Sequence, residues 1–275
     1  MTLRSLQPRG ADAAGFAELL RARRHRRRVS QLELAVDAGV SQRHLSFLES
    51  GRARPSRAMI LQLCETLDVP LRERNDWLIA AGFAPMFHTR GLDDPQMAQV
   101  MNAIRLMLTN HAQFPALAFD RAWNIRLTNA PFDMLVHTLG SDLWAQVGGA
   151  ERNLLRLMFH PAGLRPFVTN WTTAGPLLWQ RARREADTLG GAAMKAVLDE
   201  LAPFQSGDTL ASEAGVLLLP VLPIEIEKDG LRVSLFTVIS TFGTAQDVTA
   251  DELKIELLFP ADAATDSLFR QLAPT

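Results

Sequence analysis

Residues 30–55 read SQLELAVDAGVSQRHLSFLESGRARP, and their apolar positions are small and widely spaced. Ser30 with Glu33 forms an S-x-x-E capping box, so the pattern predicts a helix from about Gln31, with Leu34, Ala35 and Ala38 on its inner side. Gly39 ends it, because the turn calls for a residue that tolerates positive φ. Ser41 is a second N-cap. Val40, Leu45 and Leu48 then point inward, and Gln42, Arg43, His44 and Ser46 point outward. Gly51 and Pro55 stop this second helix. Two short helices joined by a glycine turn, with a small Ala35 at their crossing, predict a helix-turn-helix. Its outward side chains suit base edges in a major groove. An ordinary helical hairpin with a solvated polar face fits the same spacing.

The remaining pattern is more varied. APMFHTRGLDD, from Ala84, reads as a connection rich in Pro, Gly and charge. In AQVMNAIRLMLTNH, Val100, Ile104, Met107 and Leu108 have helical spacing. That helix is a connector or dimer seam, or else an element packed on its own domain. PALAFD and NIRLTN read as two short strands about a turn at Arg121 and Ala122, followed by a helix over Ala130 to His137. Residues 143–201 read as helices interrupted at Pro161, Gly163, Pro166 and Gly190–Gly191. VLLLPVLPIEIE and LRVSLFTVISTF read as strands about Asp229–Gly230. Pro220 and Pro223 push the first toward an edge or bulge. The second is apolar on both faces and predicts a central strand. TADELKIELLF carries a capping box, Thr249 with Glu252, and predicts a C-terminal helix.

With 275 residues and 47% apolar content, the chain is long enough for one large domain or two ordinary ones and supports a proper core. It has one cysteine, Cys64, which excludes an intrachain disulfide. No apolar run reaches bilayer length, and MTLRSLQPRG lacks the apolar segment of a signal peptide. These features point to a cytoplasmic protein with no membrane partner. The net charge of −1 conceals an asymmetry: residues 1–80 hold 14 Arg and 9 Asp/Glu, and the remainder holds 15 Lys/Arg and 21 Asp/Glu. A basic head on an acidic body suggests that the head meets a polyanion.

SQLELAVDAGVSQRHLSFLESGRARPS resembles the phage-repressor-like (XRE) helix-turn-helix family of transcription regulators. The resemblance spans about residues 15–82 and implies an all-α head of five helices. Phe16, Leu19 and Leu20 mark the first helix, Met59, Ile60, Leu63 and Leu67 the fourth, and Trp77 with Leu78 the fifth. It implies that Gln31 and Arg54 or Arg57 touch phosphates at the two ends of the motif. Gln42, Arg43 and His44 probe bases, helped by Ser46 beside the cap Ser41, while Arg52 serves either role. The Arg21–Arg28 cluster serves the DNA backbone or is simply solvated. A homodimer on a pseudo-palindromic double-stranded operator is the implied assembly.

NLLRLMFHPAGLRPFVTNW and STFGTAQDVTADELKIELLFPAD resemble the MmyB-like ligand-binding domain found behind such heads. This second resemblance covers roughly residues 95–265. It implies an α/β (α+β) PAS-like sensor fold with an antiparallel sheet, controlled by a fatty-acid-like effector. The division expected is a head over 1–83, a linker over 84–98 and a sensor over 99–275. Aromatics such as Phe114, Trp123, Trp171, Phe236 and Phe242 are candidates to line a cavity or simply to fill the core. An acidic ligand head needs a cation, and Arg156, His160 and Arg165 are the candidates, unless they cap helices or pair with acids such as Glu151.

No H-E-x-x-H, G-x-S-x-G or P-loop occurs, and no His pair has metal-site spacing with Cys or acid support. The expectation is a non-enzymatic transcription regulator without a cofactor, responding to a small apolar or amphipathic molecule. The alternative is a DNA-binding regulator whose second half serves only dimerisation or protein interaction.

Overall fold

The computed structural model describes residues 11–189, 191–205 and 220–272. It divides into two compact units. One comprises residues through Arg90 together with Thr244–Asp251, and the other Gly91–Gly243 together with residues from Glu252 onward.

The first unit holds five helices in sequence, α1 (Ala11–Arg26), α2 (Gln31–Asp37), α3 (Gln42–Glu49), α4 (Arg57–Thr66) and α5 (Leu71–Ala80). The capping box forms as the sequence predicts: Glu33 N–H donates to Ser30 Oγ, and Ser30 N–H donates to Glu33 Oε2. Ser41 and Ser56 cap α3 and α4 by the Oγ alone, accepting from His44 N–H and Met59 N–H. Gly39 and Gly51 adopt φ of 61° and 71°, where an L side chain is strained. Leu34, Ala35, Leu45 and Leu48 close the crossing of α2 and α3, and Phe16 meets Trp77 edge-on at 5.7 Å. Burying each such Leu side chain contributes about 1.5–3 kcal/mol.

The first unit also takes in a piece of chain from far along the sequence. Asp247 pairs with Arg90 at 2.8 Å, Thr249 Oγ1 donates to Arg90 O, and Leu71 N–H donates to Asp251 Oδ2. Asn75 holds the Met86 and Phe87 backbone through three further hydrogen bonds. Residues 86–90, expected within the linker, therefore pack as part of this unit.

The second unit contains α6 (Ala98–Asn110), β1 (Ala116–Phe119), β2 (Ile125–Thr128), α7 (Ala130–Leu139), α8 (Leu143–Val147), α9 (Leu154–Phe159), α10 (Trp171–Leu189), α11 (Ala192–Leu201), β3 (Ile224–Lys228) and β4 (Leu231–Ser240). After the short α12 (Val248–Glu252) come β5 (Lys254–Pro260) and α13 (Ala263–Leu272). The strands form one sheet, ordered β2-β1-β5-β4-β3, with every neighbouring pair antiparallel. Asn129 ties β1 to α7, accepting from Ala116 N–H and from Phe132 N–H. α6 buries Met101, Ile104 and Leu108 on its own unit, with Leu106 left 61% exposed.

Several expectations need correction. TADELKIELLF is not a C-terminal helix: α12 stops after five residues and the rest is β5, the central strand. Pairing on both sides, with β1 and β4, outweighs the helical propensity of Glu, Leu and Lys. The expected cap is also displaced. Asp247 accepts the Thr249 and Ala250 N–H groups, Thr249 donates elsewhere, and Glu252 pairs with Arg121. Among the described residues the last helix is α13, and Asp262, just before it, accepts from Thr265 N–H. β4 is internal but not central, lying between β5 and β3, and it is not buried on both faces: Val233 and Leu235 are buried on one, whereas Val238 on the other is 44% exposed. β3 begins just after Pro223 and is the outermost of the described strands next to β4, in keeping with the edge position expected from the prolines, with a single bridge from Val168 to Ile226. The VLLL part of the expected strand and Gly190 lie outside the described residues.

Candidate DNA-reading face and ligand cavity

The outer face of α3 carries exposed Gln42 and Arg43, with half-buried His44 and Ser46. Capping by Ser41 Oγ, which accepts from His44 N–H, fixes where this face begins. The Arg43 guanidinium lies 5.4 Å from the Phe47 ring centre, a cation–π contact that orients it along the helix. Arg52 and Arg54 are exposed past the end of α3. Arg57 is exposed at the start of α4, over the Phe83 ring.

Gln31 is more constrained than its sequence position suggests. Its side-chain amide donates to Glu49 Oε2 at 2.7 Å. Glu49 is 2% exposed and takes a two-pronged contact from Arg24, at 2.6 and 2.9 Å. Burial alone would raise the Glu49 carboxyl, but the Arg24 and Gln31 hydrogen bonds and the Arg24 and Arg21 charges hold it below the usual carboxylate range. The arginine cluster thus splits. Arg23 and Arg24 are buried in the structure of the head, Arg21 donates to the Glu49 carbonyl, and Arg27 pairs with Asp68. Arg26 and Arg28 are exposed. Cys64 is buried on α4, and burial pushes its thiol up to about 12, which removes it as a nucleophile.

In the second unit a cavity of about 70 Å³ lies between the sheet and the helices. Leu117 of β1, Ile224 and Ile226 of β3, Leu235 and Thr237 of β4, and Glu256 and Leu258 of β5 form its floor. Phe132 and Leu135 of α7, Met158 and Phe159 of α9, and Leu178 and Arg181 of α10 line it from the helices, with Trp123 beside them. Strand alternation explains the floor, since residues two apart share a face. On α10 the spacing of 178, 181 and 185 puts those side chains on one side.

Arg181, Thr237 and Glu256 interrupt this apolar lining, and the Glu185 carboxylate positions Arg181. Glu185 accepts from Arg181 Nε at 3.1 Å, from the Trp123 indole N–H at 3.0 Å and from Lys254 Nζ at 2.7 Å. Burial would raise the Glu185 carboxyl, but the Lys254 and Arg181 contacts outweigh it and hold it low. Arg181 also lies over the Trp123 ring at 5.0 Å. Glu256 is 7% exposed; burial pushes its carboxyl upward, against the opposing Arg181 charge and a hydrogen bond with Thr237. Arg181 Nη2 and Glu256 Oε2 are buried without a hydrogen-bond partner among the described residues.

Of the eight ligand candidates read from the sequence, Trp123 lines the cavity. Phe114 packs between the His111 and Phe269 rings, and Phe236 stacks on Phe259. Trp171 stands behind the lining residue Phe159, 5.5 Å from its ring centre. Phe242 is half-buried after the end of β4. None of the three candidate cations lines the cavity. Arg156 makes a two-pronged pair with Glu200, His160 meets the Phe204 ring, and Arg165 lies over Trp171 and donates to Phe204 O. Sequence reasoning missed Arg181 and Glu256. The available signal was a lone acid amid the apolar run IELLF, visible once that run is read as a strand.

A helix-turn-helix head joined to a PAS-like sheet-and-helix body defines a DNA-binding transcription regulator with a ligand-binding domain. The chain belongs to the family described by the MmyB-like transcription regulator ligand binding domain, whose model matches residues 100–272, and a helix-turn-helix domain model matches residues 16–77. Among solved structures the chain is similar to the clp gene regulator ClgR from C. glutamicum. The identity is 30%, over 28% of this chain and 92% of that one, with a TM-score of 0.24. No curated protein matches. Among the described residues no helix is long and apolar enough to cross a membrane.

Proposed function

We propose that the chain is a homodimeric regulator that reads a pseudo-palindromic operator and is controlled by a small apolar or fatty-acid-like effector held in the second unit. The observation that carries this reading is the cavity between sheet and helices, apolar but for one cluster of charged and hydroxyl groups, in a chain whose α3 presents Gln42, Arg43 and His44 outward. Gln42 and Arg43 probe base edges with His44 and Ser46 beside them, while Arg52, Arg54 and Arg57 meet phosphates. Effector and DNA each favour one of two arrangements of the dimer, so each changes the other's affinity by the same factor.

Binding-site selection with the full chain, followed by footprinting, tests the first part; the expected result is two half-sites related by a dyad. Mass spectrometry of denatured, freshly purified protein tests the second, and the expected result is a co-purified amphipathic molecule whose return changes operator affinity. Exposed Leu106 and Val238 favour a second reading, in which the body serves only for contact between proteins. Operator affinity indifferent to every small molecule, in a dimer lost on Leu106→Glu, would establish it instead.

A further inference from the structure

The chain passes between its two units three times, after Arg90, after Gly243 and after Asp251. The second and third passages bound residues 244–251, the excursion between β4 and β5. Those two strands carry Leu235, Thr237, Glu256 and Leu258 into the cavity floor. The excursion itself is fastened within the first unit. Val248 N–H donates to His88 O at 2.8 Å, Asp247 pairs with Arg90, and Thr249 Oγ1 donates to Arg90 O. At the last passage two adjacent acids hold different partners. Asp251 Oδ2 accepts from Leu71 N–H at the start of α5, whereas Glu252 pairs at 3.3 Å with Arg121, in the turn that leads to Trp123 of the cavity. Two residues further on, Lys254 is pinned to Glu185, which holds Arg181 of the same cavity. On the head side, Trp77 of α5 packs on Phe16 of α1, and Arg24 of α1 holds Glu49 at the end of α3.

We propose that residues 244–251 are a strap, carried by the cavity-floor strands and fastened to the head, through which occupancy of the cavity alters operator affinity. The proposal rests on the effector reading above for what fills the cavity, and names how the head senses it. A head joined to the body only after Arg90 would turn about single bonds, whatever β4 and β5 did. The two further passages remove that freedom. Only Glu252 and Leu253 separate Asp251 from β5, and Leu253 is buried. Three residue steps reach at most about 11 Å, so little slack absorbs a movement of β5 before it pulls on Leu71 and α5. Strap fastened and strap released are the two arrangements that both sites bias, which coupling requires.

Fluorescence anisotropy of the full chain on its selected operator tests this, with a wider side chain standing in for an occupant. Leu135→Phe and Val136→Leu each fill part of the cavity from α7, which carries none of the strap's partners. At least one of them is expected to shift operator affinity by about fivefold or more while the strap is intact. Adding Arg90→Ala with Asp251→Ala releases the strap but keeps the Asp247 contacts to Thr249 and Ala250 N–H. The shift is then expected to fall below about twofold, with the head still folded by circular dichroism. Thr249→Val, which removes only the Oγ1 donor, is expected to leave an intermediate shift and keeps the test readable if the double release unfolds the head. A shift undiminished by either release routes the signal through residues 91–97 and overturns the proposal, with the effector reading still standing. No shift in either filled variant overturns it as well. Absence of any co-purified molecule withdraws the effector alone, because the filled variants report on the strap without one.

Discussion

Gln31 donates its side-chain amide to Glu49 Oε2 across 2.7 Å, from the first residue of α2 to the last of α3. The same carboxylate receives Arg24 from α1, so one buried acid ties together the three helices α1, α2 and α3. Removing Glu49 leaves the Arg24 guanidinium buried and unpaired, and breaking such a pair costs about 3–5 kcal/mol. Glu49→Ala is expected to lower the stability of the head by that amount in urea unfolding followed by circular dichroism. Glu49 also sets a pH dependence. Its folded carboxyl is held below the ordinary value of 4.5, so its contribution is fully present above that value and is lost as pH falls through the lower, folded one. A Glu49→Gln variant is expected to show a shallower loss of head stability between about pH 5 and 3.

Gln42 and Arg43 stand exposed on α3 and make no contact that the core needs. Gln42→Ala combined with Arg43→Ala is expected to abolish operator selectivity while retaining salt-dependent binding to any duplex. Footprinting on selected and scrambled sites, at two salt concentrations, checks this. An unchanged footprint would remove these residues from base reading.

Glu185 accepts from Trp123, Lys254 and Arg181, and its loss strands two cations in a mostly covered site. Glu185→Ala is expected to destabilise the second unit by about 3 kcal/mol or more and to change the fluorescence of Trp123, whose indole N–H loses its acceptor. Glu185→Gln is expected to cost less, because an amide oxygen still accepts. Urea unfolding monitored by tryptophan emission separates the two.

Cys64 is fully buried, with its thiol pushed up to about 12. It is expected to resist thiol reagents in the native head at neutral pH and to react on unfolding. Ellman titration with and without guanidinium measures this directly.

The head was legible because its signals are local. Ser30 with Glu33, Gly39, Ser41 and Gly51 mark helix ends by chemistry that works within four residues, and each sits in the structure where that chemistry requires. The body's signals are not local. Lys254–Pro260 has a helix-compatible composition, and only pairing with β1 and β4, far away in sequence, makes it a strand. Misreading its period as helical turned Glu256 from a floor residue of the cavity into one more acid of a helix. The candidate cations failed for a related reason: Arg156, His160 and Arg165 are near one another in sequence, but Glu200 and Phe204, forty residues on, occupy them. Arg181 had no distinguishing mark among the arginines of RARRE, since which of them faces the sheet depends on how α10 lies on it.

Thr244–Asp251 fold with the first ninety residues, through Asp247, Thr249 and Asp251, although they are encoded between two strands of the sensor sheet. The head is therefore not a cassette that recombination can exchange at a single joint. A new head joined at Arg90 would inherit the old one's eight-residue insert, and an old head moved elsewhere would leave Arg90 without its acid. Head and sensor in this chain are bound to be inherited, and to be engineered, as a pair.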